Sequence, residues 1–264
     1  MSASLFAALA GALATPEIEQ KLALTAAIAS DWRACRLDWQ DATPVDLVCG
    51  RPPRPALVPP RQAPQRGAKS PEGRARLLHA IVHIEFSAIN LALDHAARFR
   101  GMPGQYYADW IGVAAEEAHH FTILRQRLRE LGHDYGDFAA HAGLWDMAEK
   151  TTGDVLARMA LVPRLLEARG LDATPPLRRK LAEAGDDASA RLLDIILDDE
   201  IGHVRLGDTW FRRLCGERDL EPESTYRRLL QAFDGPRPRA PLNESARLAA
   251  GFSAGELAAL LEIE

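Results

Sequence analysis

The sequence predicts an all-α protein, a bundle of four long helices with helical and Pro-rich extensions on either side. Three observations carry this. Apolar residues recur at helical spacing through most of the chain, in stretches rich in Ala, Leu, Arg and Glu, while alternating strand-like runs are nearly absent. Four long periodic stretches are bounded by capping residues, prolines and glycines. The 264 residues are 47% apolar, enough for one sizeable core with substantial extensions.

Residues 5–40 are expected to form one or two helices, with Thr15-Pro16-Glu17 as a helix start. Residues 43–70 (TPVDLVCGRPPRPALVPPRQAPQRGAKS) hold too many prolines for a regular helix and read as an extended arm. Ser70-Pro71-Glu72 then opens the first long helix by a cap followed by proline at the first helical position, running to about Arg100 and the turn Gly101-Met102-Pro103-Gly104. The second helix is placed from Gln105 to Leu131, followed by a loop from Gly132 to Gly143. The third is placed from Leu144 to Arg169, ending at Gly170, with Thr174-Pro175-Pro176 in a connector and a short helix broken at Gly185. The fourth spans Asp186 to Cys215. The tail, 216–264, is expected to hold two short helices around a Pro-rich break from Gly235 to Pro241. The bundle would then be residues 71–215, flanked by 1–70 and 216–264.

The net charge of −5 argues against a general nucleic-acid or membrane-surface role. The basic, acid-free stretch Arg51 to Lys69 reads as an arm wrapping the bundle, with nucleic-acid contact as the alternative. Cys35, Cys49 and Cys215 show no CxxC spacing, so neither a disulfide framework nor a thiolate zinc site is expected, and a reducing cytoplasm fits. The opening SASLFAALAGALA resembles a signal-peptide core, but no Lys or Arg precedes it. No apolar run approaches the roughly 20 residues needed to span a bilayer.

The charged residues inside the apolar stripes carry the chemistry. On the first helix Glu85 has Leu78, Ile81, Val82, Ile89 and Ala92 at helical spacings around it. On the fourth, Glu200 lies among Leu193, Ile196, Leu197 and Val204, with His203 one turn on. The second helix carries EEAHHF, in which Glu116 with His119 and Glu117 with His120 both satisfy Glu-x-x-His. The stripe favours Glu117 and His120, because Trp110, Val113, Ala114, Phe121 and Leu124 surround Glu117, whereas Asp109 and Gly112 precede Glu116 by whole turns. A further match, Glu130-x-x-His133, lies at a helix end before a polar loop and carries no weight. The third helix should supply one more carboxylate. Glu167 is the candidate, with Glu149 as the fallback and Pro163 kinking the helix so as to turn Glu167 inward. Glu85 precedes Glu117 by 32 residues and Glu167 precedes Glu200 by 33, so the chain reads as two helix pairs of one design.

One Glu from each of two helices plus a Glu-x-x-His from each of the other two is the ligand set of a carboxylate-bridged pair of divalent metals. Two iron ions, with manganese as the alternative, suit these oxygen and imidazole donors. Asp199 and Glu116, each just before a ligand glutamate, are candidates to accept hydrogen bonds from the ligand histidines. His83, His95 and His119 are expected at the surface or beside the site. Trp110, Phe121, Trp210 and Phe211 are expected in the core.

The segments HIEFSAINLALDHAARF, VAAEEAHHFTILRQRLRELGHDYGDF, MALVPRLLEARGLDATP and ILDDEIGHVRLGDTWF resemble the ferritin-like superfamily, and within it an uncharacterised bacterial family, domain-of-unknown-function family 455. The resemblance implies a ferritin-like four-helix bundle with a binuclear iron site that activates O2. It does not imply one reaction. Related motifs often carry Asp where this chain has Glu116. Of three function classes, an O2-dependent oxidase or hydroxylase is favoured, because the flanking segments could shape a substrate pocket. Iron oxidation and storage is second and a non-catalytic metal-stabilised scaffold third. The expected partners are a small-molecule or macromolecular substrate, O2 and an electron donor, with a second copy of the chain as a candidate.

Overall fold

The computed structural model describes residues 3–59, 62, 67–236, 238 and 240–262, which are mostly helical. Their strand content is confined to a two-residue parallel pair, β1 (Ala3–Ser4) and β2 (Leu37–Asp38). The chain divides into two compact units, 1–145 and 146–264.

In the first unit, α1 (Leu5–Ala14) buries Leu5, Phe6, Leu9, Ala12 and Leu13, and Ser4 caps it by accepting a hydrogen bond from the Ala7 N–H. Helix α2 (Ile18–Arg33) follows. It carries Lys21, fully buried, whose ammonium donates to the carbonyls of Ala12 and Leu13 and to Asn90 Oδ1, each at 2.8 Å. A cation on the carbonyls that a helix leaves open at its C-terminus satisfies them and complements the helix dipole. The apolar opening segment is thus packed as a core helix of this unit.

Helix α3 (Pro71–Arg98) starts where the cap-and-proline signal placed it, with the Gly73 N–H donating to Ser70 Oγ. Its composition and length would let it cross a bilayer, but 78% of that apolar window is buried within the protein. Helix α4 (Gly104–Glu130) returns alongside it. The Phe86 ring packs tilted on Phe121 and His95 meets Trp110 edge-on, so the two helices run antiparallel. Gly132 adopts φ +83°, the left-handed conformation that ends α4 at little steric cost.

Among its described residues the Pro-rich arm forms no α-helix, as its prolines lead one to expect. Its Leu57 bridges to Ala140 in the loop after α4, with the Val58 N–H donating to the Ala140 carbonyl at 2.8 Å. The middle of the arm, including Arg61 and Arg66, lies outside the described residues, and with it the question of nucleic-acid contact.

The expected third helix differs most. It is divided into α5 (Gly143–Lys150), α6 (Val155–Leu161), a π-helical segment (Val162–Glu167) and α7 (Ala168–Glu183). Thr151-Thr152-Gly153-Asp154 makes the first break: the Asp154 side chain accepts from the Leu156 N–H at 3.0 Å and caps a new helix. Pro163 lacks the N–H that an α-turn needs, and the widened turn around it takes the place of the expected kink. The helix then continues past Gly170 and through Pro175 and Pro176 instead of stopping. Pro175 cannot donate to the carbonyl four residues back, that of Leu171. Asn243 Nδ2 donates to it instead, at 3.1 Å.

Helix α8 (Asp187–Glu217) begins at Asp186, whose carboxylate accepts from both the N–H and the hydroxyl of Ser189. Pro163 packs on Gly207 and Arg178 pairs with Asp194, so the α6–α7 run and α8 are also antiparallel. Among its described residues the tail forms three helices, α9 (Pro222–Ala232), α10 (Glu244–Ala249) and α11 (Ala254–Glu262), not two. Gly251 at φ +103° separates the last pair. Asp208 on α8 and Glu256 on α11 hold the fully buried Arg164 guanidinium, which is walled by the rings of Phe211, Tyr226 and Phe252.

Candidate metal centre

Helices α3 and α4 bring Glu85, Glu117 and His120 together in the first unit, all within the protein interior. Glu85 and His120 stand level because the helices are antiparallel in the register that Phe86–Phe121 and His95–Trp110 set. His120 Nδ1 lies 3.3 Å from Glu85 Oε2 and 3.6 Å from Glu117 Oε2. Ligand atoms of all three lie within 4.8 Å of one another, close enough to share one cation. Glu85 Oε2, both Glu117 oxygens and His120 Nδ1 are shielded from solvent.

Electrostatics favour a cation there. Burial by itself would push His120 down, but the Glu117 and Glu85 carboxylates override it and pull the imidazole up to about 11. With both carboxylates ionised, one imidazolium leaves the trio net negative in a dry interior, where an uncompensated charge is costly. A divalent ion displacing the imidazole proton would bring the trio to neutrality.

The second unit repeats the turn. His203 Nδ1 lies 3.6 Å from Glu200 Oε1 on α8, the same nitrogen and the same spacing as in the Glu117–His120 turn. His203 is buried and Glu200 half-buried. Glu167, at the end of the π-helical segment, is half-buried with Oε2 shielded from solvent. The register fixed by Pro163 with Gly207 and Arg178 with Asp194 puts Glu167 level with His203, as Glu85 is level with His120. Each unit therefore holds a helix pair in which a lone glutamate stands across from a Glu-x-x-His turn.

The other candidates are placed differently. Glu116 and His119 are exposed on α4, which turns that alternative pairing toward solvent. Asp199 is half-buried. Glu149, the fallback for Glu167, is exposed on α5. Glu130 pairs with Arg127 at 2.6 Å on the surface, and His133 lies near Asp137.

His95, expected at the surface or beside the site, is fully buried against Trp110. Trp110, Phe121, Trp210 and Phe211 are all buried. The sequence reading passed over His79, buried with Nε2 accepting from the Gly136 N–H, and Tyr135, whose ring lies beside His79, His83, Phe86 and Phe121. Tyr135 reaches α3 and α4 from the loop after α4, and the His79 ring faces that loop, so no helical period reports either contact. The cysteines remain free thiols: Cys35 is exposed, Cys49 half-buried and Cys215 buried.

Fold and cluster together define a helical protein with buried carboxylate–imidazole turns. The chain belongs to the family described as Protein of unknown function (DUF455), whose model matches residues 14–258. It is 46% identical over 235 residues to a Haemophilus influenzae protein described as uncharacterised, a match covering 86% of this chain and 81% of that protein. No solved structure matches the chain.

Proposed function

We propose that the chain is a ferritin-like four-helix bundle in which Glu85, Glu117, His120, Glu167, Glu200 and His203 hold two iron ions, or manganese with iron, and that it is an O2-activating oxidase or hydroxylase of the cytoplasm. The single observation that carries this reading is the repeated turn: in each unit a histidine Nδ1 faces its own glutamate at 3.6 Å, level with a second glutamate on the antiparallel neighbour. Bringing the two halves together is part of the proposal. The donor set fits the metals. Four carboxylates neutralise two divalent ions, and carboxylate oxygen with imidazole nitrogen suits iron or manganese.

When bound, such a pair supplies Lewis acidity and the electrons that reduce O2. The chain's own residues do the rest. Glu85 and Glu117 both face His120 Nδ1 and Glu200 faces His203 Nδ1, so each imidazole presents that nitrogen toward the carboxylates. Asp199 is retained as a candidate hydrogen-bond acceptor for a ligand histidine. The buried Leu78, Val82, Ile89, Trp110 and Phe121 on α3 and α4 surround the cluster's helix faces with apolar side chains and limit the access of water.

Metal content of the purified chain should approach two ions. Glu200→Ala should lose metal while Glu130→Ala keeps it. Equal loss in both would refute the ligand assignment. Oxygen consumption by the ferrous protein should reach a break near two Fe2+ per chain. A linear rise through many irons would favour iron storage, and no consumption at any ratio would favour a scaffold.

A further inference from the structure

A second site lies in the first unit, where the Pro-rich arm and the loop after α4 cover α3. It is a cavity of about 50 Å³ open to solvent, lined by Cys49, Arg51, Phe86, Tyr135 and Trp145 among others. At roughly 10–15 Å³ per water it holds about three or four waters, the room of a ligand of about four to six heavy atoms. His83, Ser87 and Asn90 line it from α3, around the helix from Glu85.

Its charge is one-sided. No carboxylate lines it among the described residues, and Arg51 is the one cation that does. The Arg51 guanidinium sits 5.5 Å from the centre of the Trp145 ring. Its field acts on Cys49, His83 and Tyr135 alike. Those three are neutral at pH 7: burial raises the Cys49 thiol and the Tyr135 phenol and lowers His83 to about 4. Lys21 also bears on Cys49, but its ammonium is spent on two carbonyls and Asn90, and Asp94, which bears on it too, is held by Arg98.

Hydrogen bonding fixes what the wall offers. His83 Nε2 faces the carbonyl of His141 at 3.1 Å, which can only accept, so Nε2 carries the proton. Nδ1 of the neutral ring is then an acceptor, and the Tyr135 O–H donates to it at 2.9 Å. The ring's polar atoms are thereby engaged by the protein, and the charged anchor facing a ligand is Arg51, whose guanidinium also donates to the Cys49 sulfur. One planar guanidinium matches one carboxylate bidentately, whereas a phosphate dianion would call for a second cation. The aromatic wall of Phe86, Tyr135 and Trp145 suits a short apolar body behind that carboxylate.

We propose that this cavity, capped by Arg51 on Trp145 and walled by Phe86 and Tyr135, is a binding site for a short-chain monocarboxylate. It is independent of any metal.

The test is titration of the full-length chain with propionate, followed by NMR of the His83 ring and the Trp145 indole. Both signals should shift saturably. Arg51→Gln, at an exposed position, should weaken binding by about tenfold or more, and so should replacing propionate with uncharged propionamide. Ala142→Phe, which keeps every charge but fills the cavity from its loop wall, should abolish the shifts. The proposal is overturned if propionate produces no saturable shift, if Arg51→Gln binds equally well, or if the filled variant still responds.

Discussion

Gly207 tests how the second unit holds Glu167 in place. A Cβ at this position would stand 2.5 Å from Pro163 Cβ and 2.6 Å from Pro163 Cγ, with the Arg164 backbone nitrogen at 3.4 Å. Carbon atoms at rest prefer about 3.5–4.0 Å, and the obstacle is a rigid ring joined to backbone, so rotamer changes cannot relieve it. Gly207→Ala should therefore cost near the upper end of overpacking, about 3 kcal/mol. Removing a helical glycine returns about 1 kcal/mol, which leaves a net loss of about 2 kcal/mol. Gly112 on α4 is the control: it is exposed and nothing lies within 4 Å of its added Cβ. Gly112→Ala should gain about 1 kcal/mol from helix propensity alone. The two variants, chemically identical, should thus move the urea midpoint in opposite directions with unchanged slope. If Gly207→Ala stabilises as Gly112→Ala does, the close packing of the π-helical segment on α8 is wrong. Gly207→Ala should also bind less metal, because the segment that must yield carries Glu167.

Metal removal should lower the melting temperature, and adding Fe2+ or Mn2+ should raise it by linkage, with about 2.7 kcal/mol gained at a hundredfold excess over the dissociation constant. An unchanged melting curve across the titration would contradict the metal site. His83 gives a pH signature of opposite origin. Its folded pKa is lowered by burial to about 4 from 6.5, so below pH 6.5 the unfolded chain binds a proton that the folded chain refuses. The resulting stability is fully present above pH 6.5 and is lost as pH falls through 4, about 3 kcal/mol in all. The stability difference between the native chain and His83→Gln should shrink by that amount from pH 7 toward pH 4. A constant difference would mean that His83 is not held neutral.

Much of this protein is written locally. The start of α3 follows from Ser70-Pro71, because a cap and a proline act on the adjacent backbone. The inward faces of α3 and α4 follow from periodicity, which is why the sequence alone tells buried Glu117 and His120 from exposed Glu116 and His119. Other features depend on residues far apart in sequence. That a helix runs through Pro175 could not be read locally, because the carbonyl left open at Leu171 is satisfied by Asn243, some 70 residues on. The turn at Pro163 depends on Gly207 leaving room for its ring. The cavity beneath Arg51 needs the arm and the loop after α4 folded over α3, a meeting of three segments with no shared sequence period. Sequence periodicity reports the face a residue occupies on its own helix. What stands across from that face, and so whether a buried charge meets a partner, is decided only when the helices pack.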